Sequence, residues 1–389
     1  MTKKWSSRLT FFAVVVLMVG LGSNDSLRGI FSTIFQEHFS LTTTQLGLIV
    51  TASYIGNLVF LLVGGNLSTR FSKKRVLQVL ILIWMAALAL FAFTSNYTVL
   101  LIGMALALGS STLLNTTMNL ITPLLFATAP GFFVNFLFFT QEIGTSGSQY
   151  ILGSHADGFA FWQHTNLVLL ILGAVAFVLL LFCNVPEEAA APADAPAQKG
   201  GYDWRIIVPY VLVFGFYFIA EHGVMNWMVA YGVDGLGLPQ ASAAKYLSVF
   251  FGGMMIGRLC LSPLVDKLGA LKSLAAFGGV SCVLYLIGSL GGAVTMPVWA
   301  ISGLSFSILY PTLVMSIRLH FPAQQVSGAA GTILSIASLA DILFNVGFGK
   351  LVDMTGYAVS IRVLPLSALA FFIVFMLFTK FCKPTQKLK

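Results

Sequence analysis

Charged side chains are what this chain most lacks: Asp, Glu, Lys and Arg make up 9% of its 389 residues. Soluble domains carry about 25%, so an ordinary water-facing surface is excluded for most of the chain. Cysteine is also sparse. Cys183, Cys260, Cys282 and Cys382 lie in or beside apolar stretches at unrelated spacings, and neither a disulfide framework nor a metal cluster follows from them. No nucleophile stands with a base, and no glycine-rich loop has the form that cradles phosphate. An enzyme is therefore not expected, and neither is a cofactor or a resident metal. The net charge of +8 belongs to short basic flanks rather than to a continuous patch: Lys3, Lys4 and Arg8, then Arg70, Lys73, Lys74 and Arg75, then Lys380, Lys383, Lys387 and Lys389. Basic flanks on apolar segments follow the positive-inside pattern, and a nucleic-acid partner gains no support.

Hydrophobic residues fill 58% of the chain, with 34 Phe and 37 Gly. About 20 apolar residues cross a bilayer as a helix. Segments of that kind fall at 9–35, 45–69, 76–95, 98–126, 131–153 and 165–184, then 205–232, 241–265, 271–291, 294–319, 325–350 and 361–381. The fold class predicted is an all-α polytopic membrane protein with twelve transmembrane helices. The basic start followed by an apolar run lacks a small-x-small cleavage pattern before Asn24 and Asp25, and reads as a retained first helix. Of 21 Lys and Arg, Arg28 and Arg258 fall within helices and Lys245, Lys350 and Arg362 in outer loops, which leaves 16 on one side. That bias puts both termini in the cytoplasm, and the expected location is the plasma (cell inner) membrane.

One low-complexity stretch, Pro186 to Pro196, is rich in Pro, Ala and acids and is a poor core former. It divides the chain into a six-helix bundle at 1–184, a cytoplasmic linker at 185–204 and a second six-helix bundle at 205–389. The halves are weakly similar. A slide of about 197 residues puts Arg70 on Lys267, Gly56 on Gly253, and Asp25 on His222 beside Glu221. Parallel repeats of this kind organise transporters.

The first segment holds the most costly residues. Asp25 and Arg28 stand at i and i+3, on one helix face inside the apolar run, and a charge there costs several kcal/mol unless it meets a partner or a wet cavity. The alternatives are mutual neutralisation as structural glue, or function. Asp25 is the leading proton-coupling candidate, with Glu142 and Glu221 as further ones; Arg28 either tunes Asp25 or binds an anionic solute. A polar cavity is expected from neutral amides, which both donate and accept and suit hydroxyl-rich solutes. Asn24, Asn115, Asn119, Asn135, Gln141 and Asn226 supply it, with Trp227 in the same span as Asn226, and with Asp341 as a further cavity residue. Interhelical glue is the competing reading of these amides. Arg258 reads as a gating or packing charge.

The loop from Gly65 to Arg75 resembles the signature loop of the major facilitator superfamily, with Thr69 in place of its acid and Ser72 in place of its second glycine; Asp266 and Gly269 keep those positions in the second half. Asn24-Asp25, Phe39-Ser40-Leu41-Thr42, Gln45-x-Gly47, Tyr54-x-Gly56, Glu221 with Trp227, Ile256-Gly257-Arg258 and Tyr310-Pro311-Thr312 together resemble the fucose:proton symporter group. The resemblance implies a fold of two six-helix bundles that rock around a midplane cavity. It also implies gating roles for Arg70, Asp266 and Lys267, and a substrate-binding role for Tyr310. Where that group carries an acid in its fourth span, the stretch Ser111 to Leu113 has none.

The expected function is secondary active transport of a small polar solute, a sugar or sugar derivative, by proton symport with alternating access. The rivals are proton-coupled efflux of apolar compounds and a transport-dead membrane sensor. The partners expected are the solute, the proton and the lipid bilayer, with the chain as a monomer.

Overall fold

The computed structural model describes residues 3–125, 130–183, 185 and 202–382, excepting the side chains of 3–8, 63–70, 119, 120, 123–125, 130–132, 134, 135, 266, 323, 324 and 327. Most of the linker expected at 185–204 lies outside the described residues. The chain divides into two compact units, Met1–Ala195 and Pro196–Lys389.

Regular structure among the described residues is entirely helical. The first unit runs α1 (Lys3–Ile30), α2 (Ser32–Phe39), α3 (Thr43–Arg70), α4 (Lys73–Phe93), α5 (Tyr97–Leu125), α6 (Pro130–His155) and α7 (Phe159–Phe182). The second runs α8 (Trp204–Ala230), a π turn at Tyr231–Gly235, α9 (Gln240–Leu268), α10 (Ala270–Leu290), α11 (Met296–Ile301), α12 (Gly303–Phe306), α13 (Leu309–Ile317), α14 (Ala323–Thr355), α15 (Tyr357–Ser360) and α16 (Val363–Phe381). Eleven helical stretches among the described residues are long and apolar enough to cross a membrane. The twelfth long helix is α6. Its middle reads Thr-Gln-Glu-Ile-Gly-Thr-Ser-Gly-Ser-Gln, so one strongly polar face dilutes its apolar content.

Each unit pairs its helices in the same order. In the first, α1 packs on α6, α3 on α5, and α4 on α7; in the second, α8 packs on α14, α9 on α12, and α10 on α16. First with fifth, second with fourth, third with sixth: the pairing repeats, as the weak sequence slide predicts.

Local chemistry sets the helix ends. Ser40 adopts φ 51° and closes α2. Two residues on, the Thr42 amide donates to Gln45 Oε1 at 2.9 Å while the Gln45 amide donates to Thr42 Oγ1 at 3.2 Å, a reciprocal cap that starts α3. The motif at 39–45 is therefore a connector. Asp203 caps α8 through the Arg205 amide at 2.9 Å.

Three expectations need correction. The first span is broken at Phe31 into α1 and α2. The tenth, one apolar stretch from Met296 to Ile317, is three helical pieces, with Ser302, Ser305 and Ser307 each donating to the carbonyl three residues earlier around the breaks. Lys245 and Lys350 lie within α9 and α14 rather than in loops. Both fall inside the apolar segments at 241–265 and 325–350 themselves, and both are exposed near a helix end, where a long side chain reaches water.

Candidate functional site

In the first unit, α1 and α6 touch backbone to backbone. A Cβ on Gly22 would sit 2.0 Å from the Gln141 carbonyl oxygen, and one on Gly144 2.1 Å from that of Val19. No other residue fits at either position. Thr145 Oγ1 donates to the Gly22 carbonyl at 3.2 Å and Ser23 Oγ to that of Gly144 at 3.3 Å, so the seam is hydrogen-bonded as well as tight.

This seam fixes the polar residues that flank it. Asp25 Oδ2 accepts from Ser111 Oγ on α5 at 3.2 Å, and Oδ1 accepts a longer bond from Asn24 Nδ2 at 3.4 Å. Asn115 Nδ2 donates to Gln141 Oε1 at 2.7 Å and joins α5 to α6. Glu142 follows Gln141 and is part-buried. Arg28 is buried, with its guanidinium 5.9 Å from the Tyr54 ring centroid on α3. Among the described residues no ion pair joins Asp25 to Arg28, although the two charges, one turn apart, act on each other. Asn119, Asn135 and Arg70 have side chains outside the described residues.

The second unit is built differently. His222 Nδ1 lies 2.8 Å from Asp341 Oδ2, an ion pair when the ring is protonated, and Phe218 stacks on the imidazole with a 4° interplanar angle. Asp341 is 2% exposed, and its Oδ1 has no protein partner. One turn on, Asn345 Nδ2 donates to the Asp341 carbonyl at 2.7 Å, while its Oδ1 accepts from Trp227 Nε1 at 2.8 Å. α8 and α14 are thus joined by a polar ladder rather than by a glycine seam. Trp227 is fully buried and packs on Phe348, and Asn226 is buried beside it. Glu221, also buried, stands one turn after Tyr217, whose ring stacks with that of Tyr310 at 6.0 Å. Arg258 is part-buried on α9. Lys267 is exposed near the end of α9, and the side chain of Asp266 lies outside the described residues.

The structure therefore brings together Asn24 with Asp25, and Asn115 with Gln141. Sequence reasoning missed Ser111 and Asn345 as members. Ser111 had a signal: it stands where the resemblance places an acid. Asn345 also had one, four residues after Asp341 on the same helix face.

Residues 10–344 match the sequence profile of the Major Facilitator Superfamily. The chain is 27% identical over 382 residues to a glucose/galactose transporter of Brucella abortus biovar 1 (strain 9-941), covering 91% of this chain and 90% of that one. It is 24% identical over 333 residues to the L-fucose-proton symporter of Escherichia coli (strain K12), covering 74% and 75%. Its fold is similar to that of the crystal structure of a D-xylose-proton symporter, with a TM-score of 0.78 at 15% identity, covering 99% of both chains.

Proposed function

Because the chain belongs to the Major Facilitator Superfamily, and so is a multi-pass membrane transporter and not an enzyme, we propose that it carries a sugar or sugar derivative together with a proton by alternating access. The observation that carries this reading is the setting of Asp25, a carboxylate at mid-helix held by the neutral donors Ser111 and Asn24. Such a group accepts and releases a proton without breaking a salt bridge. A permanently paired carboxylate does not have that freedom.

In this reading Asp25 carries the coupled proton, and Glu142 and Glu221 are the further candidates. The Asn115–Gln141 pair supplies donors and acceptors that exchange their mutual bond for solute hydroxyls, and Asn119 and Asn135 extend the same polar stripe. On the second unit, Tyr310, Asn226, Trp227 and Asp341 serve the solute, and Arg70, Arg258, Asp266 and Lys267 serve gating. The transport functions named for the two curated relatives support a sugar as the solute and the proton as its companion. The basic flanks support cytoplasmic termini in the plasma membrane.

The test is proton uptake by proteoliposomes challenged with a panel of monosaccharides and sugar derivatives, for the native protein and for Asp25→Asn. Solute-dependent proton uptake that disappears in the variant is the expected result. Solute entry without proton movement in both proteins makes the chain a facilitator. Failure of every solute on the panel removes the sugar assignment.

A further inference from the structure

Arg28 has no role in the coupling just described, and its surroundings are unusual. It is 5% exposed, its Nε has no hydrogen-bond partner, and its guanidinium is placed over the Tyr54 ring at 5.9 Å. Asp25, one turn earlier on the same helix face, directs its two oxygens to Asn24 and Ser111 instead. A cation–π contact at that distance offsets only a small part of what it costs to hold a guanidinium away from water. Arginine offers five N–H donors in a planar fork, and here the buried Nε donor is left without a partner.

The shape of that vacancy selects its ligand. A sugar hydroxyl accepts hydrogen bonds but, being neutral, leaves the positive charge uncompensated. A carboxylate meets the fork with two parallel charge-assisted bonds and cancels the charge. A phosphate monoester carries close to two negative charges at neutral pH, more than one arginine offsets. Resting on the transport reading above, we infer that the solute is a sugar acid and that Arg28 holds its carboxylate. The amides of Asn115 and Gln141 then serve the hydroxyls of the same molecule. Charge accounting agrees with symport. With Asp25 ionised the Asp25–Arg28 face carries no net charge, and a sugar carboxylate arriving with one proton adds none.

The experiment compares uptake of radiolabelled D-glucuronate and D-gluconate with that of D-glucose, L-fucose and D-glucose 6-phosphate. It uses proteoliposomes under an inward proton gradient, with native protein, Arg28→Lys and Arg28→Gln. The acids are expected to enter saturably and to outcompete the neutral sugars. Arg28→Gln lowers their uptake about tenfold or more, and Arg28→Lys, which keeps the charge and loses the fork, lowers it less. A thermal-shift measurement on the purified native protein keeps the test independent of how the variants fold: D-glucuronate raises the Tm and D-glucose at equal concentration does not. Uptake of neutral sugars with neither uptake of nor stabilisation by the acids overturns the carboxylate assignment and leaves sugar transport standing. Preference for the sugar phosphate overturns it as well, as does an Arg28→Gln protein that moves the acids at the native rate. If no sugar of any class enters or stabilises, the transport reading itself fails and takes this inference with it.

Discussion

In the first unit the Asp25 carboxylate is held by a serine hydroxyl and an asparagine amide, whereas in the second the Asp341 carboxylate faces the His222 ring at 2.8 Å. The helix pairs that carry them differ in the same way. α1 and α6 meet through glycines with their backbones in contact, and α8 and α14 meet through Asn345, Trp227 and the His222–Asp341 pair. Two halves with one pairing order have thus taken opposite solutions to a buried acid. One leaves the acid hydrogen-bonded to neutral donors, with Arg28 one turn away and outside ion-pair contact, and makes the scaffold rigid by close packing. The other makes the acid part of the scaffold. The lesson is that a repeat of architecture does not imply a repeat of chemistry. A titrating role belongs with the acid that is not already committed.

The contrast is broken most directly by exchanging the roles of the acids. Asp25→Asn is expected to lower solute-driven proton uptake by about 100-fold or more, as for loss of an obligatory proton acceptor. Asp341→Asn is expected to slow transport while keeping the proton-to-solute ratio measured in the same vesicles. Equal loss of the ratio in both variants removes the distinction. The seams come next. Gly144→Ala places a Cβ against the Val19 carbonyl and costs about 3 kcal/mol by overpacking. Gly215→Ala on α8 meets Ala340 Cβ at an ordinary 3.4 Å and gains about 0.5–1 kcal/mol of helix propensity. Thermal denaturation followed by size-exclusion chromatography should therefore move in opposite directions for the two.

A smaller effect sharpens the ladder. Trp227→Phe leaves Asn345 Oδ1 without its donor and costs about 1–3 kcal/mol in the same assay. The Asp25 site, which does not share that network, should keep its native coupling ratio in this variant. The smallest effect concerns His320, beyond the end of α13. It is buried against Tyr210, whose hydroxyl lies 3.0 Å from Nδ1, and burial holds its pKa below the ordinary histidine value. The unfolded chain then takes up the proton first. Stability is complete above about pH 6.5 and falls as the pH drops below it. His320→Gln should flatten that acid limb of the Tm–pH curve, and an unchanged limb assigns it to other groups.

Much of this was legible because a membrane makes composition informative. The twelve apolar segments, Asp25 and Arg28 on one helix face, and the relation of Gly56 to Gly253 all follow from periodicity and from the cost of polar groups in lipid. What was not legible depends on partners far apart in the chain. That Ser111 holds Asp25 across 86 residues, and that Asn115 meets Gln141 across 26, depends on the relative rotation of α1, α5 and α6. Hydropathy does not encode that rotation. The break in the tenth span was hidden for another reason: it interrupts a helix without altering its apolar content. His222 and Asp341 were each visible as ionisable residues, but nothing in either helix alone announced that they face each other.

The glycine seam has a consequence for how this protein can diversify. Any missense change at Gly22 or Gly144 adds at least a Cβ where a carbonyl oxygen already stands, so the seam is closed to gradual mutation. The residues beside it are not. Asn115 and Gln141 are only part-buried and contact each other through side chains rather than through the backbone. A lineage built on this scaffold can therefore drift in what it recognises while the frame that presents Asp25 and Arg28 stays fixed. A designer seeking new solutes should randomise the α5 face and leave the α1–α6 contact untouched.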